Sequence, residues 1–147
     1  MTVAAVLPLH PLQAPVHWRT VEILSDLHLL ADAPRTFEAW RRQLIESDAD
    51  ATLLLGDLFE VWVGDDARHD DFEARCVDVM REASSRRTLG FMAGNRDFLL
   101  GEAMCADSGL LCLPDATVLH AFGRRVVLTH GDALCLEDLR YQHFRTQ

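Results

Sequence analysis

The sequence predicts an α/β fold, and three observations carry the prediction. Short apolar runs rich in β-branched residues alternate with segments of helical period. The pattern then switches to two strand runs around a glycine turn, and four of the runs close on Asp, Asn or His. Strands alternating with helices of this length give a sheet with a parallel portion and helices packed against it. Ligands of such sheets bind outside the carboxyl ends of the strands.

Taken in order, residues 1–19 carry Pro8, Pro11 and Pro15 and no Lys or Arg before Arg19. They lack the basic start of a signal peptide and read as a loose extension before a single domain over 20–147. "TVEIL" (20–24) reads as a strand, and Pro34 opens a helix in which Phe37, Trp40, Leu44 and Ile45 share a face. "ATLLLGD" (51–57) is a second strand, followed by an amphipathic helix through Phe72, Cys76, Val79 and Met80 to about Arg86. "TLGFMAGN" (88–95) is a third. Runs at about 117–121 and 125–129 flank Gly123 as a hairpin, and Leu136, Leu139 and Phe144 recur at helical spacing in the last residues.

The bulk properties exclude several function classes. A net charge of −9 argues against binding nucleic acid, which needs clustered Lys and Arg, so an acidic chain that handles phosphate requires a cation. No run reaches the ~18 consecutive apolar residues of a membrane span. The four cysteines, Cys76, Cys105, Cys112 and Cys135, form no CxxC pair and read as reduced thiols of a cytoplasmic protein.

The strand ends hold the chemistry. Asp26 and His28 follow the first strand, Asp57 the second, Asn95 the third, and His130 the hairpin, with Asp132 just after it. Carboxylate, imidazole and amide oxygen together suit manganese, iron or zinc better than calcium. Taken singly, each is an ordinary turn residue. Taken in order, "DLH", "GD", "GNRD" and "THGD" at four successive strand ends point to one site. Gly56, Gly94 and Gly131 would let the backbone turn sharply there.

These blocks resemble the calcineurin-like metallophosphoesterases, which implies two mixed sheets flanked by helices in four αββα layers. "ILSDLHL" (23–29), "LLGDLFEVWVGDD" (54–66), "GNRDFLLG" (94–101) and "THGDALC" (129–135) are similar to the UDP-2,3-diacylglucosamine diphosphatases of lipid A synthesis. The resemblance covers about residues 20–145. It implies two Mn2+ ions, with Asp26 and His28 on one, Asp57 bridging, and Asn95 and His130 on the other. It also implies catalytic roles for Asp57, Asn95 and Arg96, and substrate contacts for Asn95, Arg96 and Asp138.

The implied reaction is hydrolysis of the substrate pyrophosphate to UMP and 2,3-diacylglucosamine 1-phosphate by a metal-activated water. The implied setting is peripheral, on the cytoplasmic face of the inner membrane, with a nucleotide-linked lipid as partner, no nucleic acid and no protein partner evident. Arg96 stands where many superfamily members carry histidine. An arginine cannot donate a proton, so it favours an anhydride substrate, whose phosphate leaving group needs little protonation. The family's last block, GHxH, and its acyl-binding helical insertion are not within the 147 residues, so the resemblance leads one to expect the chain to be the N-terminal portion of such an enzyme. Two other readings stay open: a metallophosphoesterase acting on a nucleotide or phosphoprotein, and a metal-binding module without turnover. "VWV" (61–63) is expected in the core, and Asp65 and Asp66 in a solvated turn.

Overall fold

Seven strands and four helices follow the chain in the computed structural model, which describes residues 8–145. They are β1 (His10–Gln13), β2 (Val21–Leu24), α1 (Pro34–Glu46), β3 (Ala51–Leu55), α2 (Asp71–Ser84), β4 (Thr88–Met92), α3 (Glu102–Ser108), β5 (Leu110–Cys112), β6 (Thr117–Ala121), β7 (Arg124–Leu128) and α4 (Leu139–Arg145). The strands make two sheets, ordered β2-β3-β4-β5 and β1-β6-β7. The first is parallel throughout, so of the two sheets expected to be mixed only the three-stranded one is: β1 runs parallel to β6, and β6 and β7 form the antiparallel hairpin.

Two cores follow from the two faces of the parallel sheet. Successive side chains of a strand point to opposite faces. Leu54, Leu89 and Phe91 therefore meet Phe37, Trp40 and Leu44 of α1, Met80 of α2 and Met104 of α3. Leu53, Leu55 and Met92 turn the other way and meet Leu119, Ala121 and Leu128 of the second sheet. Every residue of β3 is buried, as a central strand covered on both sides must be. Among the described residues the layers are therefore helix, sheet, sheet. The fourth layer of the expectation is not among them, because α4 sets Phe144 edge-on against Phe98 in the loop after β4. No helix of the described residues is long and apolar enough to cross a membrane.

Four expectations are corrected. Residues 10–18 are not a loose extension: β1 pairs with β6, and Ala14 and Trp18 are buried between the sheets, while residues 1–7 lie outside the described residues. Cys105 and Cys112 are joined in a disulfide, because α3 and β5 are adjacent and bring their Cα atoms to 6.5 Å. Cys76 is a free, buried thiol whose pKa burial pushes up to about 12, which makes it inert, and Cys135 is free and exposed. Of "VWV" only Trp62 enters the core, tilted against Phe59, whereas Val61 and Val63 face solvent.

Asp65 is not a solvated turn residue. Its carboxylate accepts the Gly101 and Met104 N–H groups at the start of α3, both at 2.9 Å, and the Trp62 indole N–H at 3.2 Å. It caps a helix 36 residues downstream, which supplies acceptors for N–H groups that have no partner inside the helix. Burial opposes the charged form, but these donors win and hold the Asp65 carboxyl below its ordinary range.

Candidate metal centre

The carboxyl ends of β2, β3 and β4 bring Asp26, His28, Asp57, Asn95 and Arg96 together, and the end of β7 adds His130. The parallel pairing of β2 with β3 continues past both strands. Asp26 N–H donates to the Gly56 carbonyl at 3.1 Å, His28 N–H to Asp57 at 2.9 Å and Leu29 N–H to Leu58 at 2.8 Å. This ladder sets the "DLH" segment beside the "GD" turn. Asp26, His28 and Asp57 have φ of 54°, 48° and 53°, a left-handed region that costs a non-glycine residue about 1–3 kcal/mol. Among the described residues Phe122 in the hairpin turn is the other non-glycine case, so backbone strain is concentrated on this group. Strain of that size persists only where the surroundings over-determine the geometry.

Each imidazole presents its Nε2 to Asp57. His28 Nδ1 lies 2.8 Å from the Glu60 carboxylate, and His130 Nδ1 lies 2.9 Å from the Leu55 carbonyl. Both partners only accept, so each Nδ1 carries a proton and donates. His28 Nε2 then stands 3.8 Å from Asp57 Oδ2 and 3.9 Å from Asp26 Oδ1. His130 Nε2 stands 3.6 Å from Asp57 Oδ1 and 3.2 Å from Asn95 Oδ1. Asp57 is buried and turns one oxygen to each histidine.

The donor set fits a cation. One ligand atom from each of Asp26, His28 and Asp57 lies within 4.8 Å of the others. On the other side, His130 Nε2 and the Asn95 amide oxygen lie 3.2 Å apart, a spacing that a protonated Nε2 donating to the amide fills and that a cation taking both lone pairs would also fit. Electrostatics agree: burial works against a charged His130, but the Leu55 carbonyl and the carboxylates of Asp57, Asp132 and Asp26 outweigh it and raise the imidazole above its ordinary value.

Two glycines make the approach possible. At Gly56, where φ is +84°, a Cβ would lie 2.3 Å from His130 Nδ1. At Gly94 it would lie 2.2 Å from Asp57 Oδ1 and 2.5 Å from the Asp57 nitrogen. Any larger residue displaces a candidate ligand.

Arg96 is half exposed and doubly tied: its N–H donates to Asp57 Oδ1 at 2.9 Å and its guanidinium lies 3.3 Å from Glu60 Oε1. Asp138 takes a different position. Its carboxylate accepts the Tyr141 N–H at 3.0 Å, capping α4, and Tyr141 in turn donates its hydroxyl to Asp132. Asp138 is exposed, and among the described residues its side chain bonds to α4 rather than to the candidate ligands.

Two acidic residues were not singled out from sequence. Asp97, fully buried, accepts the N–H groups of Asp57, Leu58, Phe59 and Gly94, clamping the two loops that carry the candidate ligands. Burial pushes its carboxyl up, against the pull of those donors. Glu60 holds His28. Both stand inside "GDLFE" and "GNRD", so position within a block was the available signal.

An apolar cavity of about 570 Å³ opens beside Gly94, walled by Phe98, Leu113, Pro114, Tyr141 and Phe144. A larger one of about 710 Å³ lies at the opposite end of the parallel sheet, beside Trp18, Asp50 and Arg87. Arg87 there donates to the Leu44 and Ser47 carbonyls and Thr52, and Asp50 accepts the Arg19 and Thr20 N–H groups, so these two charged walls are committed to the fold.

No protein-family model matches the chain. It is 44% identical over 134 residues to a UDP-2,3-diacylglucosamine hydrolase of Chromobacterium violaceum, which covers 85% of this chain and 53% of that protein. The same-named protein of Shewanella pealeana is 44% identical over 124 residues, with 83% and 52% covered, and that of Escherichia coli O7:K1 is 40% identical over 126 residues, with 84% and 52% covered. A solved structure of a protein of unknown function from Aquifex aeolicus has the same fold over 74% of this chain and 59% of its own, with a TM-score of 0.50 and 12% identity. The chain spans about half the length of the curated relatives it matches. It is a sequence relative of the UDP-2,3-diacylglucosamine hydrolases over that half, with the two-sheet α/β fold that the calcineurin-like resemblance implied.

Proposed function

We propose that this chain is the metal-bearing portion of a hydrolase that splits the pyrophosphate of UDP-2,3-diacylglucosamine into UMP and 2,3-diacylglucosamine 1-phosphate. The observation that carries the reading is the placing of Asp57 between two imidazoles, one carboxylate oxygen facing each Nε2. Asp26, His28 and Asp57 would hold one Mn2+, and Asp57, Asn95 and His130 a second. When bound, such a pair supplies Lewis acidity that makes water nucleophilic near neutral pH and offsets charge on the phosphoryl oxygens. Asp57 spaces the two halves of the centre. Asn95 offers its amide oxygen beside His130, and Arg96 offers a fixed positive charge to the pyrophosphate without donating a proton. Asp138, which caps α4, is proposed as a substrate contact on the family resemblance.

The apolar cavity beside Gly94 would offer a contact surface to the part of the substrate next to the pyrophosphate, the acyl chains being left to the insertion that the resemblance implies. The protein works as a peripheral component of the cytoplasmic face of the inner membrane. Support for that placement is a set of exposed apolar side chains, Leu30, Val61, Val63, Phe98 and Leu99, on loops leaving the carboxyl ends of β2, β3 and β4. The experiment is Mn2+-dependent release of UMP from UDP-2,3-diacylglucosamine, by this chain and by a version carrying the further length that the relatives have. UMP release by either, abolished by Asp57→Asn, is the expected result. Mn2+ binding with no release from either would overturn the substrate assignment.

A further inference from the structure

The candidate ligand His28 and the candidate substrate contact Arg96 are held by the two oxygens of one side chain. Glu60 Oε2 lies 2.8 Å from His28 Nδ1, and Oε1 lies 3.3 Å from the Arg96 guanidinium. The backbone around Glu60 is pinned on both sides. Its own N–H donates to the Leu29 carbonyl at 3.1 Å, the Phe59 N–H to Asp97 at 3.3 Å, and the Trp62 N–H to the Arg96 carbonyl at 3.2 Å. A carboxylate fixed in this way is not a surface charge that happens to touch a histidine. Its other oxygen is occupied by Arg96, so it cannot swing away without breaking an ion pair.

Resting on the two-ion reading above, we propose that Glu60 is a positioning residue that fixes His28 in the tautomer with the proton on Nδ1 and Nε2 free for the metal, and that Arg96 in turn holds Glu60. Because the carboxylate only accepts, it selects this tautomer and sets the ring plane. Arg96 thereby serves the centre from behind as well as facing substrate.

The test reads the His28 imidazole by nitrogen NMR in the metal-free chain, and Mn2+ affinity by calorimetry, in wild type, Glu60→Gln and Glu60→Met. The amide oxygen of Glu60→Gln still accepts from Nδ1, so that variant keeps the tautomer and binds Mn2+ within about threefold of wild type, whereas Glu60→Met, of similar volume with no matching acceptor, loses the tautomer preference and binds ~10–100-fold more weakly. Should Glu60→Met fail to fold, Glu60→Asp, one methylene too short, is expected to lose the tautomer in the same way. An unchanged tautomer and an unchanged Mn2+ affinity in the variants lacking the contact would overturn the inference. Failure of wild type to bind Mn2+ would overturn the two-ion reading instead, and the metal-free tautomer measurement would still decide the role of Glu60.

Discussion

Asp57 and Asp97 are both buried aspartates in adjoining loops, yet their oxygens are spent in opposite ways. Asp97 accepts four backbone N–H groups, from Gly94 on its own loop and from Asp57, Leu58 and Phe59 on the loop after β3. Among the described residues Asp57 accepts one backbone N–H, from Arg96, and its Oδ2 faces an imidazole nitrogen 3.8 Å away. A carboxylate surrounded by donors ties loops together. One that faces two imidazoles from a strained backbone has the geometry of a ligand. The difference separates what builds this corner of the fold from what the corner is built to hold.

Four changes test that division. Asp57→Ala carries the largest expected effect: Mn2+ affinity falls at least ~100-fold, beyond the usual loss for an outer partner, while the urea midpoint of the metal-free chain stays near that of wild type. A drop in stability of several kcal/mol instead would make Asp57 a structural residue like its neighbour. Asp97→Ala should do the reverse, costing about 3 kcal/mol or more because buried N–H groups lose their acceptor, read as a lower urea midpoint. Gly94→Ala falls between them. Its Cβ would press on the Asp57 carboxylate and backbone at 2.2 and 2.5 Å, so we expect a loss of about 1–3 kcal/mol together with weakened Mn2+ binding.

The smallest effect belongs to Asp65. Its folded-state pKa is depressed, so its contribution to stability is present above the unfolded value of about 3.9 and is lost as pH falls through the lower folded value. Melting temperatures taken from pH 6 down to about pH 3 should fall less steeply in Asp65→Asn than in wild type.

Much of this fold was legible in the chain. The β2, β3 and β4 segments are short apolar runs, both long helices keep a period near 3.6, the hairpin turns at Gly123, and the boundaries fall where Pro34 and the strand-end glycines place them. β1 was not legible, because "HPLQ" has neither alternation nor an apolar run. Its conformation comes from pairing with β6, more than a hundred residues away. α3 has only seven residues and draws its cap from Asp65 rather than from its own flank, so no local start signal exists.

At the site the same distinction holds. Asp26, His28, Asp57, Asn95 and His130 were readable as polar groups closing apolar runs. Glu60 and Asp97 act on partners 32 and up to 40 residues away, so their place inside the "GDLFE" and "GNRD" blocks marks them without stating what they hold.

The central claim is that Asp57 divides two cation sites. Anomalous diffraction from crystals of this chain soaked in Mn2+ tests it most directly. Two peaks are expected about 3.5–4 Å apart flanking the Asp57 carboxylate, one beside His28 and one beside His130. No peak at Asp57, or Mn2+ bound only at carboxylates elsewhere on the surface, would contradict it.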